Sequence, residues 1–272
     1  MNKAIEVLNL IYTYPDGTSA LNNISISVDR GSRTVLLGPN GAGKSTLLLH
    51  LNGIHLPQKG TVRVLGQELK KETEFEVRQK VGLVFQDPDD QVFAPSVWDD
   101  VAFGPLNMNL TRDEIENRVV DALHTVTMWG LREKAPHHLS FGQKKRVAIA
   151  GVLAMDPEVI VLDEPTAYLD PGGQEVLISI LADFHQRGKT LILATHDIDL
   201  AAEWADSVII VKEGQTLAQG GTELLGNAYL MREANLRLPT VSRIFSHFPG
   251  CQGREVPRTV KEAVEILEKF IK

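Results

Sequence analysis

The sequence predicts an α/β protein built on a parallel sheet, and three observations predict it. Short apolar runs at residues 159–162, 190–194 and 208–211 alternate with helix-like segments, the pattern of strands buried on both faces and joined by crossover helices. A strand-like run at residues 34–37 passes through a glycine-rich turn into a helix-like run from Lys44. The chain has 272 residues, 43% of them hydrophobic and 23% charged, enough to bury a core without disulfides or a structural metal.

The elements follow in order. Residues 5–10, 21–28 and 34–37 read as short strands, with Pro15-Asp16-Gly17 as the turn between the first two. A helix runs from Lys44 to Asn52 and stops at Gly53. Strands return at 62–65 and at 81–85, the second ending at Gln86. Residues of about 88–155 read as a helical subdomain. There Thr111 and Glu114 form a capping-box pattern, with Leu110 and Ile115 as its hydrophobic staple. Ile115, Val119, Ala122 and Leu123 lie on one face of the helix that follows. A second helix starts near Ser140 and ends before Asp156-Pro157. Pro171 opens a helix after Asp170, and Gly188 closes it. The tail from 257 is an amphipathic helix capped by Thr259 and Glu262, with an apolar stripe of Val260, Val264, Leu267 and Ile271.

Composition excludes several classes. A net charge of −7 rules out an overall basic footprint for nucleic acid. The run Lys144-Lys145-Arg146 reads as a solvated helix face. The single cysteine, Cys251, rules out an internal disulfide and a cysteine-based zinc cluster, and suits a reducing compartment. His137 and His138 are adjacent and lack the i, i+4 spacing of a helical chelating pair. The apolar run at 147–155 falls well short of the ~18 residues a membrane span needs. Residues 1–10 carry Lys3 and Glu6 and no apolar signal core.

Gly38-Pro39-Asn40-Gly41-Ala42-Gly43-Lys44-Ser45, followed by Thr46, fits the phosphate-loop pattern between a strand and a helix. Small residues let consecutive backbone N–H groups turn toward phosphate oxygens, and the helix N-terminus adds partial positive charge. Lys44 would supply a full charge to β- and γ-phosphates, and the Ser45 hydroxyl can ligate Mg²⁺. The strand at 159–162 ends in Asp163-Glu164, which it carries to the sheet edge where open α/β folds bind ligands. Asp163 suits the Mg²⁺ shell. Glu164, one residue on, points differently and is placed to polarise a water. No Asn-Lys-x-Asp guanine-reading motif occurs.

Leu139-Ser140-Phe141-Gly142-Gln143 has the form of a well-capped helix start, with Ser140 as N-cap and Gln143 as its partner. It also resembles the signature motif of ABC-type ATPases. The rest of that family's set follows in order: Gln86 resembles the Q-loop, Ala167-Tyr168-Leu169-Asp170 the D-loop and Thr195-His196-Asp197 the H-loop, and Tyr14 sits where the family's adenine-stacking aromatic lies. The resemblance covers about residues 1–230. It implies a P-loop NTPase of ABC type with an N-terminal antiparallel β-subdomain, a RecA-like parallel core and the helical subdomain, over about residues 1–235. Residues 236–272 remain as a short C-terminal extension that would help hold two copies together. It also implies an ATPase using ATP and Mg²⁺. Two copies would pack head to tail, with Ser140, Gly142, Gln143 and Asp170 of one copy facing nucleotide held by the other.

A finer resemblance is to the ATPases of energy-coupling-factor importers, the cobalt-import type in particular. It is carried by Tyr12-Thr13-Tyr14-Pro15-Asp16-Gly17, Val84-Phe85-Gln86-Asp87-Pro88-Asp89-Asp90-Gln91, Asp100-Val101-Ala102-Phe103-Gly104-Pro105 and Pro136-His137-His138-Leu139-Ser140. It implies a homodimer or a pair with a related ATPase, a transmembrane coupling subunit and a substrate-binding membrane subunit. The protein would be peripheral on the cytoplasmic face of the cell membrane, with cobalt or nickel as cargo; a vitamin or another solute is the alternative. Of Val92, Phe93, Val97, Trp98, Val101 and Phe103, about half are expected in the subdomain core and the rest in a groove for a membrane partner's helix. Two residues depart from the pattern: Phe141 and Tyr168 stand where glycine is common. A soluble ABC ATPase acting on nucleic acid or ribosomes is disfavoured, because no coiled-coil insertion, Cys-x-x-Cys hook or tandem nucleotide domain occurs.

Overall fold

A computed structural model describes residues 3–248 and 256–271, with only the backbone for 269–271. Strands are β1 (Lys3–Thr13), β2 (Ser19–Asp29), β3 (Arg33–Leu37), β4 (Lys59–Val64), β5 (Gln67–Glu68), β6 (Val81–Val84), β7 (Val159–Asp163), β8 (Thr190–Thr195), β9 (Ser207–Lys212) and β10 (Gln215–Gly220). Helices are α1 (Lys44–Leu51), α2 (Glu74–Lys80), α3 (Val97–Leu106), α4 (Arg112–Thr125), α5 (Phe141–Ala154), α6 (Pro171–Gln186), α7 (Ile198–Trp204), α8 (Ala228–Glu233), α9 (Thr240–Phe245) and α10 (Val260–Ile271).

The N-terminal strands form an antiparallel sheet in the order β2-β1-β4-β5. The larger sheet runs β10-β9-β3-β8-β7-β6; its strands are parallel except for β10, which folds back on β9 as an edge hairpin. Alternation along the parallel strands feeds two cores. Leu36, Val161, Ile192 and Ile209 face one side, where α1 is sandwiched against the antiparallel sheet. Val35, Leu37, Ile160, Leu162, Leu191 and Leu193 face the other side and the helical layer of α3 to α7. Helix α1 is therefore buried nearly all round, with Leu47, Leu48, His50 and Leu51 shielded from solvent.

Both predicted capping boxes close: Thr111 with Glu114 on α4, and Ser140 with Gln143 on α5. Each fixes a helix start and contributes about 1 kcal/mol. Several boundaries differ from the sequence reading. The first two strands extend farther at both ends, past bulges at Asn9 (φ 51°) and Asn23 (φ 63°). Strand β4 starts earlier, and Leu65 (φ 52°) leaves it. Strand β6 stops at Val84, so Gln86 stands two residues beyond it: the Phe85 N–H donates to Gln91 Oε1 (3.0 Å) instead of continuing the ladder. Helices α2, α8 and α9 are short and carry no periodic signature long enough to read.

At the tail, Thr259 Oγ1 caps α10 by accepting from the Glu262 N–H (3.1 Å), as expected. Glu262 does not return the bond to Thr259; its carboxylate accepts from the Arg258 N–H (2.7 Å) and guanidinium (3.1 Å). The predicted apolar stripe does not face the core. Ala263 is the buried contact, while Val260, Val264 and Leu267 stand 62%, 48% and 48% exposed. The side chain of Ile271 and all of Cys251 lie outside the described residues.

Candidate nucleotide site

Parallel register assembles the site. Leu37 pairs with Thr195, Asp163 with Ala194 and Val84 with Leu162, so β3, β8, β7 and β6 deliver their C-terminal loops to one edge. The cleft there has a volume of about 740 Å³ and is bordered by Tyr14, Asn40, Gly41, Ala42, Gly43, Lys44, Ser45, Thr46, Gln86, Asp163, Glu164 and His196. Twelve predicted residues thus meet in one place.

The loop after β3 turns into α1 at Gly43, whose φ of 97° and whose approach to Ala20 O leave no room for a side chain: a Cβ would lie 2.6 Å from that oxygen. No side chain caps α1, so its first amides face the cleft unpaired with side chains. Gly38 lies behind the cleft; a Cβ there would meet Val211 O at 2.3 Å. Its carbonyl and that of Pro39 accept from Lys44 Nζ (2.7 and 3.2 Å), which draws the loop around the ammonium. Beside the loop, the Tyr14 and Thr46 hydroxyls are hydrogen-bonded at 2.9 Å.

Asp163 and Glu164 are both nearly buried, 8% and 6% exposed. Burial pushes Asp163 up from the ordinary carboxylate range; Glu164 adds to this, and Ser45, Lys44 and Lys145 oppose it. Glu164 adopts φ 42° while its N–H still donates to Ala194 O (2.9 Å). That turn swings its side chain toward the end of β8. There Thr195 Oγ1 donates to Oε2 (3.1 Å), and His196 Nδ1 lies 2.9 Å from Oε1.

Two buried cations balance the two carboxylates. Burial lowers Lys44, with Glu164 and Asp163 pulling it back. The second cation is Lys145, wholly buried and brought down to about 8 by burial, opposed by Asp163, Asp87 and Glu164. The run Lys144-Lys145-Arg146 is therefore not a solvated face. Lys144 pairs with Asp89 (2.6 Å), Lys145 Nζ donates to Phe85 O and Gln86 O (both 2.8 Å), and Arg146 donates to Thr127 Oγ1 (2.8 Å). The readable signal was register: Lys145, Ile149 and Val152 fall on one helix face, which is the buried one.

Ser140, Gly142, Gln143 and Asp170 do not join this cleft. They border a second one of about 530 Å³, with Phe141, Tyr168 and Leu169. Tyr168 borders both.

With this geometry in view, the comparisons are specific. A model of the ABC transporter family matches residues 21–167. The chain belongs to the ABC transporter family. Within it the chain is an ATPase of the energy-coupling factor type. It is 52% identical over 271 residues to the energy-coupling factor transporter ATP-binding protein EcfA of Carboxydothermus hydrogenoformans, covering 100% of both chains. It is 53% identical over 243 residues to EcfA of Methanocaldococcus jannaschii, covering 88% of this chain and 87% of that one. Among solved structures, cbiO1 of Clostridium perfringens, part of the ABC transporter complex cbiONQ, superposes with a TM-score of 0.76 at 43% identity, over 90% of this chain and 100% of that chain. An ATP-binding cassette solved as a dimer in a post-hydrolysis state with ADP and Pi gives a TM-score of 0.73 at 27% identity, over 80% and 98%.

In this ABC ATPase the two departures from the common pattern touch each other. The Phe141 and Tyr168 rings meet edge to face, 5.1 Å between centroids. Tyr168 holds the left-handed φ of 62° that a glycine adopts freely. Sequence reasoning also missed Thr195 as the second partner of Glu164, and Thr18, Ser19 and Ala20, which line the cleft from the start of β2. Nothing in their residue types marks them; packing of the segment at the start of β2 against the loop at Gly43 brings them there.

Proposed function

We propose that the chain hydrolyses MgATP at the interface of a head-to-tail dimer and so powers an energy-coupling-factor-type importer. The observation that carries this is the division of the family's site residues between two clefts of one chain, with Lys44 in one and Ser140 in the other. A second copy brings the two halves onto one nucleotide, a reading supported by the dimeric state of the ADP- and Pi-bound cassette noted above.

In that arrangement Tyr14 stacks on adenine, worth about 0.5–1.5 kcal/mol. Asn40 to Thr46 wrap the phosphates, backed by Gly38, with Lys44 on the β- and γ-phosphates. Glu164 orients and deprotonates the attacking water, with Gln86 and His196 beside it. Ser140, Gly142, Gln143 and Asp170 reach the nucleotide of the other copy. The donor set fits Mg²⁺: Asp163 Oδ1 is buried without a hydrogen-bond partner among the described residues, and Ser45 and Gln86 border the same cleft. When bound, the ion offsets phosphate charge and polarises the γ-phosphorus. Charge-assisted hydrogen bonds from both copies to one γ-phosphate, about 1.5–3 kcal/mol each, make ATP the adhesive. Hydrolysis removes several of them together, which gives an opening and closing stroke.

The stroke reaches the membrane through the face after Gln86. Val92, Val97 and Val101 are buried, whereas Phe93 and Phe103 stand 67% and 51% exposed with rings 5.1 Å apart. This pair, with exposed Leu106, suits a helix of a transmembrane coupling subunit, beside which a substrate-binding membrane subunit completes the importer. No helix among the described residues is long and apolar enough to cross a membrane. As the ATPase of such an importer, the chain sits on the cytoplasmic face through its partners. The cargo is cobalt or nickel, on the likeness of the stretches around Tyr12, Gln86 and Phe103 to cobalt-import ATPases. The exposed stripe of α10 meets its counterpart in the second copy and keeps the dimer together while the nucleotide clefts open.

The deciding experiment is Glu164→Gln incubated with MgATP and sized by light scattering. A dimer with little phosphate release supports the reading. A monomer saturated with ATP, or hydrolysis at the wild-type rate, overturns it. Cobalt uptake in cells carrying the intact transporter, lost on Glu164→Gln, tests the cargo separately.

A further inference from the structure

We infer that Lys145 is a positioning residue for hydrolysis: its buried ammonium ties Gln86 to the helix that Ser140 caps, so that seating Ser140 also sets where Gln86 stands. The inference rests on the proposed role of Gln86 at the γ-phosphate and deepens it.

The geometry carries it in three steps. First, the segment after β6 has left the sheet. The last ladder pair is Val84 with Leu162, and the polar contacts beyond it run to α5. Lys145 Nζ takes Phe85 O and Gln86 O at 2.8 Å each, Lys144 Nζ takes Asp89 at 2.6 Å, and Gln91 Nε2 reaches Ala148 O at 3.4 Å. Residues 144, 145 and 148 share one helix face, so the segment is fastened along a line. Gln91 also staples the segment to itself, accepting from the Phe85 N–H.

Second, Lys145 does more than fill space. It is wholly buried, and a methionine or leucine would fill that volume without the cost of dehydrating an ammonium. The charge is retained where two backbone carbonyls past a strand end need a donor and where Asp163, Asp87 and Glu164 supply opposing charge. An ammonium with two fixed carbonyl partners defines a position more sharply than packing does.

Third, α5 is continuous from its Ser140 cap through Phe141–Ala154. Its cap borders the cleft assigned to the other copy's nucleotide, and Lys145, little more than one turn along, holds the loop of this chain's own cleft. A rigid helix with an anchor at each site links them as a lever. Closure of the second copy on Ser140 then places Gln86 of the same chain.

A double-mutant cycle tests this. Lys145→Met, Gln86→Ala and the double variant are assayed for ATP hydrolysis. Lys145→Gln is run in parallel, so that the cycle survives poor folding of the methionine variant. The expected result is kcat lowered by about tenfold or more in each single variant with KM for ATP within about twofold, and a double variant no slower than Gln86→Ala alone. In the nucleotide-free protein, hydrogen exchange at the amides of 85–91 should rise in Lys145→Met while those of 146–154 stay protected. Multiplicative losses in the double variant, or unchanged exchange at 85–91, overturn the inference. A wild-type kcat in Lys145→Met beside a slow Gln86→Ala overturns it while leaving the role of Gln86 intact. A wild-type kcat in Gln86→Ala removes that role and the inference with it.

Discussion

Thr195 Oγ1 donates to Glu164 Oε2 at 3.1 Å while His196, the next residue, holds Nδ1 2.9 Å from Oε1. Both oxygens of the proposed base are thus oriented by consecutive residues at the end of one strand. Thr195 also accepts from the Asp197 N–H (3.1 Å), which fixes the loop that carries His196. Thr195→Val should slow hydrolysis by about tenfold, because a buried carboxylate that loses one donor spends time in unproductive orientations. ATP affinity should be unchanged, since no phosphate contact is touched. Single-turnover phosphate release beside equilibrium nucleotide binding checks both; an affinity loss that matches the rate loss contradicts the prediction.

The Phe141–Tyr168 pair predicts a measurable coupling. Unfolding of Phe141→Ala, Tyr168→Ala and the double variant in urea should yield an interaction energy of about 0.5–1.5 kcal/mol. Tyr168→Gly should be more stable than Tyr168→Ala by about 1 kcal/mol, since the residue holds φ 62°. Additive losses would mean that the rings do not meet in solution.

His50 predicts an acid limb in stability. It is wholly buried against Tyr12 and His55, its Nδ1 lies 2.7 Å from Thr46 O, and its Nε2 has no partner among the described residues. Burial lowers it from 6.5 to about 4. Between those values the unfolded chain takes up a proton that the native state refuses. The stability is therefore complete above pH 6.5 and is lost as pH falls toward 4, by up to ~3 kcal/mol. His50→Leu should flatten this limb in urea midpoints measured from pH 7 to 4. An unchanged slope would assign the acid sensitivity to other groups.

Helix α10 predicts a separable dimer contact. Leu267 is 48% exposed on a stripe that stays open among the described residues. Leu267→Glu should dissociate the nucleotide-free dimer and leave the ATP-bound Glu164→Gln dimer intact, because the second is held by nucleotide. Sedimentation of both states reads the difference. Loss of both dimers, or of neither, would count against the stripe as a dimer contact.

Much of this protein was readable without coordinates. The P-loop, the acid pair after an apolar strand and the two capping boxes are local patterns, whose physics lies within a few residues: backbone amides around an anion, a strand end, a helix start. Their order along the chain was enough to name a family and to select twelve residues that meet in one cleft. Tertiary structure decided what depends on residues far apart in sequence. It buried Lys145 in a run that composition reads as solvated, because α5 packs that face against the end of β6. It turned the apolar stripe of α10 outward, because the contact at Ala263 took the inner face. It also set the Phe141 ring against Tyr168 and gave Glu164 a second partner in Thr195. Periodicity records that a helix has an apolar side; what that side meets is settled only when every other element has taken its place.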